Sequence, residues 1–111
     1  ALGSLEGSFI QPIYEQEGMV PMVFPIVLNQ EGQRNEVIKA LDKRGIECRS
    51  LFACIPTQQP AYAKYKEEYA GKLPISEWCG ANGFYVGCHQ HLSEEDIEFM
   101  GKQIVEVIKN E

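Results

Sequence analysis

Apolar and polar positions in this chain follow strand-like and helix-like patterns in turn. Met19-Val20-Pro21-Met22-Val23-Phe24-Pro25-Ile26-Val27-Leu28 is an apolar run with high β-branched content, which predicts a strand. Pro21 and Pro25 carry no amide donor, which directs them to an edge or to positions facing away from the ladder. Asn29-Gln30-Glu31-Gly32 closes the strand as a turn. From about Gln33 to Arg44, Val37, Ile38 and Leu41 mark the inner stripe of a helix. Gly45 suits the left-handed position past its end, and Lys43 and Arg44 complement the dipole of its last turn. Ile46 to Phe52 alternates as a second strand. Pro60 opens a short helix to about Tyr69, with Tyr62, Tyr65 and Tyr69 on one face. Ser76 is placed to cap a short helix over Glu77 to Ala81, and Asn82-Gly83 reads as a tight turn into a third strand, Phe84 to Cys88. Leu92-Ser93-Glu94-Glu95-Asp96-Ile97 has Ser93 as a cap, Asp96 at the third helical position, and Leu92 and Ile97 spaced for a hydrophobic staple. Ile97, Met100, Ile104, Val105 and Ile108 form the buried stripe of that last helix.

This order predicts an α/β (α+β) domain: a small, mostly antiparallel sheet of about three strands packed with helices. Residues 1–18, broken by Gly3, Gly7, Pro12 and Gly18, read as an irregular segment or linker, and 19–111 as the domain. With 111 residues and a 44% hydrophobic fraction, the chain can build one modest core. Its net charge of -6, with scattered basic residues, argues against nucleic-acid binding. No apolar run is long enough for a bilayer and no secretory leader is visible, so a cytoplasmic protein is expected. Cys48, Cys54, Cys79 and Cys88 show no CxxC pair and read as thiols of a reducing compartment. Cys88, His89 and His91 are the nearest approach to a metal set, and no metal is expected.

No catalytic constellation is complete: glycine-rich phosphate loops, GxSxG and HExxH are all absent. The acidic run 94–96 has an ordinary role, complementing the dipole at a helix start. Three features raise a functional question. Arg49, inside a strand pattern, either meets an anion or faces solvent. The loop Pro56-Thr57-Gln58-Gln59-Pro60 is stiff and polar, suited to ligand contact or to a structural turn. Cys88-His89-Gln90-His91 lies at a strand-to-helix junction, where His89 or His91 can donate, accept or carry charge. The tyrosine face reads as packing, and Trp78 with Phe84 and Tyr85 as core or a contact surface.

Five blocks in order carry a resemblance: Gly45 to Phe52, Pro56 to Tyr62, Leu73 to Glu77, Gly83 to His89, and Leu92 to Ile97. Together they resemble the C-terminal part of the DegT/DnrJ/EryC1/StrS family, sugar aminotransferases and related dehydratases that use pyridoxal phosphate. Met22-Val23-Phe24-Pro25-Ile26 is similar to that family's entry strand into its small domain. The resemblance implies the small domain of a fold type I enzyme, closing over a nucleotide-linked keto sugar in a homodimer. The missing N-terminal large domain would hold the cofactor and its Schiff-base lysine. No lysine here matches that position, so the chain alone is expected to hold no pyridoxal phosphate and to contribute no catalytic residue. Substrate-binding roles are implied for Arg49, Thr57, Gln58 and His89. Two departures stand out. The family's Pro-x-His-x-Gln-Pro pattern is one residue shorter here, at Pro56-Thr57-Gln58-Gln59-Pro60, and its Leu-Pro-x-His becomes Val86-Gly87-Cys88-His89. The alternatives are the small domain of a related sugar dehydratase and a stand-alone, non-catalytic binding domain.

Overall fold

The structure is a computed structural model that describes Phe9, Ile10, Gly18, residues 21–51, Thr57 and residues 59–110. Strand β2, Val23–Leu28, alternates so that Phe24, Ile26 and Leu28 share one face. It pairs antiparallel with β4, Gly83–Gly87, in a register that sets Phe24 opposite Val86 and Ile26 opposite Phe84. Strand β3, Cys48–Ser50, pairs antiparallel with the other edge of β4, and β1, Phe9–Ile10, with the end of β2. The sheet order is β1-β2-β4-β3. Helices α1, Arg34–Lys43, and α3, Glu94–Asn110, cover the face carrying Ile26, Leu28, Phe84 and Val86. Val37 and Leu41 of α1, Ile46, and Ile104, Val107 and Ile108 of α3 complete this core. The small antiparallel sheet packed with helices is thus the predicted architecture.

Several local expectations change. β1 falls inside the stretch read as irregular, where two residues are too few to leave a pattern. It pairs only with Val27 and Leu28, so among the described residues Pro25 borders a single strand, β4, as its missing donor requires. β3 is shorter than the predicted 46–52; Phe52 lies outside the described residues. The segment after Pro60 is a 3-10 turn, Pro60–Tyr65, interrupted at Tyr62. Tyr62, Tyr65 and Tyr69 are 44, 39 and 40% exposed, so they do not form a packing face. A short helix without an apolar stripe gains too little burial to offset its nucleation cost. Lys64 and Lys72 lie over the Tyr65 and Tyr69 rings instead.

Helix α2 runs Pro74–Asn82, starting two residues before the predicted Ser76 cap, because Pro74 needs no amide partner in the first turn. Asn82-Gly83 forms no tight turn: α2 passes directly into β4. Gly83 is required by close approach, since a Cβ there would lie 2.5 Å from the Cys79 carbonyl oxygen. Asn82 is buried and bridges two elements, accepting from the Gly32 N–H and donating to the Trp78 carbonyl, each at 3.2 Å. Arg34 donates to the Gly80 carbonyl at 2.6 Å, tying the start of α1 to the same helix.

Gly45 adopts the predicted left-handed conformation, φ +81°. Its N–H donates to Asp42 O and that of buried Ile46 to Leu41 O, which completes a Schellman end for α1. Arg44 then reaches Gln103 and Glu106 of α3, each at 2.6 Å. In α3 the predicted stripe is partly shifted. Ile104 and Ile108 are buried, Met100 and Val105 pack at the core edge, and Gly101 and Val107 join the buried face. Ile97 is 51% exposed, because burial along α3 begins only near Met100.

Candidate functional site

Antiparallel pairing brings the start of β3 beside the end of β4. Arg49 stands opposite Tyr85, and the odd-numbered register places both on the sheet face opposite Phe84 and Val86. His89 follows two residues after β4. Arg49, Tyr85 and His89, together with Glu47, Asp96 and Phe99, line an open cleft of about 680 Å³. Two of the four predicted site residues, Arg49 and His89, therefore share one cleft.

Arg49 faces solvent and is paired: Nη2 and Nε donate to Glu47 Oε1 at 2.7 and 3.1 Å. This exposed pair contributes little to stability, and its guanidinium keeps donors for an incoming anion. His89 is exposed, and its Nδ1 accepts from the His91 backbone N–H at 3.3 Å. Asp96 is engaged in the predicted capping box. Its Oδ2 accepts from the Ser93 N–H at 2.9 Å and the Ser93 hydroxyl at 2.8 Å, while Asp96 N–H donates to Ser93 Oγ at 3.1 Å. The backbone hydrogen bond, then the hydroxyl one, hold the Asp96 carboxyl below its ordinary pKa. The cleft thus offers one cation and an imidazole beside two carboxylates, Glu47 and Asp96, and against Tyr85 and Phe99, a lining suited to binding a polar group.

Thr57 stands elsewhere. It lines a second cleft, of about 740 Å³, with Gln59, Lys66, Glu31, Glu77 and Trp78. This cleft lies at the end of the sheet where β3 finishes and β4 begins, away from His89. Gln58 lies outside the described residues. Glu47 escaped the sequence reading, although two-residue spacing along a strand puts it on the side of Arg49. Trp78 was read as core or contact; its indole N–H donates to Leu28 O at 3.0 Å, leaving its ring at the second cleft.

Burial, then the charges of Asp42 and Glu47, push the Cys48 thiol up to about 11, and burial raises that of Cys88. Both thiols are therefore weaker nucleophiles near neutral pH than a free cysteine. Their Sγ atoms contact carbonyls, Cys48 that of Ile46 and Cys88 that of Pro21. Cys48, Cys79 and Cys88 are free thiols. Among the described residues no three His, Cys, Asp or Glu side chains gather as a metal set, and no helix is long and apolar enough to cross a membrane.

The sequence model of the DegT/DnrJ/EryC1/StrS aminotransferase family matches residues 1–106. The chain belongs to this family. Solved structures share the DegT/DnrJ/EryC1/StrS fold. One is assigned as a sugar aminotransferase, Spr1654 from Streptococcus pneumoniae in its PMP form, with 17% identity and a TM-score of 0.78 over 96% of this chain and 28% of that one. A DegT DnrJ EryC1 StrS aminotransferase from Brucella abortus is 21% identical, with a TM-score of 0.60 over 96% of this chain and 27% of that one. E. coli GDP-4-keto-6-deoxy-D-mannose-3-dehydratase with bound hydrated PLP is 20% identical, with a TM-score of 0.50 over 74% of this chain and 22% of that one. This chain therefore spans less than a third of the length of these solved relatives. No curated protein matches it by sequence.

The described residues of this DegT/DnrJ/EryC1/StrS chain do not fit a pyridoxal-phosphate site. All seven lysines are exposed, whereas a Schiff-base lysine needs a desolvated pocket. Lys66 is the one that borders the second cleft, where Glu31 and Glu77 accompany it.

Proposed function

We propose that this chain is the small, C-terminal domain of a pyridoxal-phosphate-dependent aminotransferase that acts on a nucleotide-linked keto sugar. The observation that carries this reading is the family match over residues 1–106. In the whole enzyme the cofactor, held by the large domain, supplies the electron sink and carries the amino group. The residues of this chain bind and orient the substrate and exclude water around it.

Arg49 and His89, lining one cleft, are the substrate-binding pair. Arg49 offers a permanent cation with planar donors, suited to a phosphate or carboxylate oxygen. His89 donates to or accepts from a neutral oxygen, and neither is given a proton-transfer role. Thr57 and Gln58 were proposed for the same substrate; Thr57 lines the other cleft, so any contact it makes is with a different part of the molecule. The partners proposed are the large domain of the same enzyme, a second subunit in a homodimer, and the nucleotide sugar. The proposed setting is the cytoplasm. The dehydratase branch is the second reading, favoured by the shared fold with the E. coli GDP-4-keto-6-deoxy-D-mannose-3-dehydratase.

Steady-state kinetics of the whole enzyme test the binding role. His89→Ala and Arg49→Ala raise KM more than they lower kcat if both residues hold substrate in ground and transition state alike. A fall in kcat at constant KM contradicts it.

A further inference from the structure

We infer that the second cleft, with the apolar surface beside it on α2, is the seat on which the large domain of the same polypeptide docks. The inference rests on the small-domain reading proposed above and names the surface which that domain grips. The lining comes first. Pro60, Ala63, Pro74 and Ala81 are exposed around the half-buried Trp78. Proline and alanine have almost no side-chain entropy to lose on burial, and tryptophan is enriched among the anchors of protein interfaces. Trp78 is already held in place, its indole N–H donating to Leu28 O at 3.0 Å. One turn earlier on α2, Ile75 is 79% exposed, and Tyr62, Tyr65 and Tyr69 are also open to solvent. Among the described residues, four of the seven exposed large apolar side chains thus fall between positions 62 and 75. A protein partner covers a surface of that extent, whereas a small ligand in the cleft would leave Ile75 bare.

Two further observations choose the occupant. Thr57, in the lining, has a buried Oγ1 with no hydrogen-bond partner among the described residues, although buried hydroxyls are rarely left so. A backbone N–H or carbonyl of a docked segment completes it. The other observation is the route of the chain. β1 is antiparallel to β2, with Phe9 opposite Leu28 and Ile10 opposite Val27, so the polypeptide enters the sheet at its Leu28 end. That is the Trp78 end: Leu28 O holds the indole, and Glu31, three residues on, lines the cleft. The Spr1654 chain is matched over only 28% of its length, and in the reading above the remainder of such an enzyme precedes this domain. A large domain joined upstream of Phe9 is tethered beside this cleft at high effective concentration, an advantage that a second subunit lacks.

Hydroxyl-radical footprinting with peptide mass spectrometry compares this chain alone with the whole enzyme. Oxidation of Trp78 and Ile75 is expected to fall about tenfold in the whole enzyme, where both are reached only when the domains open. p-Benzoylphenylalanine in place of Ala63, an exposed position in the cleft lining, then identifies what covers them. On irradiation of the whole enzyme it is expected to join to a residue upstream of Ala1 in the same polypeptide. Equal oxidation of Trp78 and Ile75 in the two forms overturns the inference. So does the absence of a cross-link, or one that joins two subunits or stays within residues 1–111. Those results leave the small-domain reading standing, whereas a reading frame with no large domain upstream overturns both.

Discussion

Ser93 and Asp96 satisfy each other reciprocally at the start of α3: the Asp96 carboxylate accepts two hydrogen bonds from Ser93, and the Ser93 hydroxyl accepts the Asp96 N–H. These bonds favour the ionised carboxylate, so the folded-state pKa lies below the ordinary value of 3.8. A depressed carboxylate pKa contributes stability above the unfolded pKa, and that contribution is lost as pH falls through the folded one. Below pH 3.8 the first turn of α3 therefore frays. Amide exchange measured for residues 94–97 speeds up as pH is lowered through this range, after correction for intrinsic rates. In Asp96→Asn the acid-dependent part of this change is absent.

Asn82 is the tie between α2 and the turn after β2, and both ends of its amide are used. Asn82→Ala leaves the Gly32 N–H and the Trp78 carbonyl without it. Urea denaturation is expected to show a loss of about 2–3 kcal/mol. A loss under about 0.5 kcal/mol, the range of an ordinary surface change, would contradict this role.

Gly83 and Gly45 are required for different reasons and give different responses to alanine. At Gly83 the added Cβ meets the Cys79 carbonyl at 2.5 Å and the Leu51 side chain at 3.1 Å, so the helix-to-strand junction must move. At Gly45 the space is open and the cost is the positive φ alone. Gly45→Ala costs about 1–2 kcal/mol, and Gly83→Ala about 1–3 kcal/mol. Near-ultraviolet circular dichroism of Trp78, one turn from the junction, changes for Gly83→Ala and stays unchanged for Gly45→Ala.

Glu47 competes with any anion for Arg49. Glu47→Gln releases the guanidinium while changing stability by less than about 0.5 kcal/mol, because the pair is exposed. Phosphate or UMP binding, followed by the chemical shift of Arg49 Nε–H, tightens in this variant and weakens with added salt. Unchanged affinity would mean that the anion does not reach Arg49.

Elements with strong local signals were legible in the sequence. Val37 and Leu41 on one stripe, Gly45 beyond it, and the Ser93–Asp96 spacing each find the predicted role. What could not be read depended on distant partners. Asn82-Gly83 has the letters of a hairpin turn, and only the approach of Cys79 O and the Gly32 N–H turns it into a helix-to-strand junction. The tyrosines after Pro60 have helical spacing, but no apolar surface meets them, so periodicity misled. The candidate site was half legible. Arg49 and His89 belong to one cleft because β3 and β4 are antiparallel, a relationship no single block reveals. Thr57 shares their resemblance to the family and yet lies at the other end of the sheet.

The central claim, that this chain serves as the small domain of a sugar aminotransferase, is tested most directly by sequencing the reading frame upstream of Ala1. The account predicts a long in-frame extension carrying a lysine at the Schiff-base position. Histidine at that position would give the dehydratase branch instead, and a stop codon directly upstream, with no such extension, would contradict both enzyme readings.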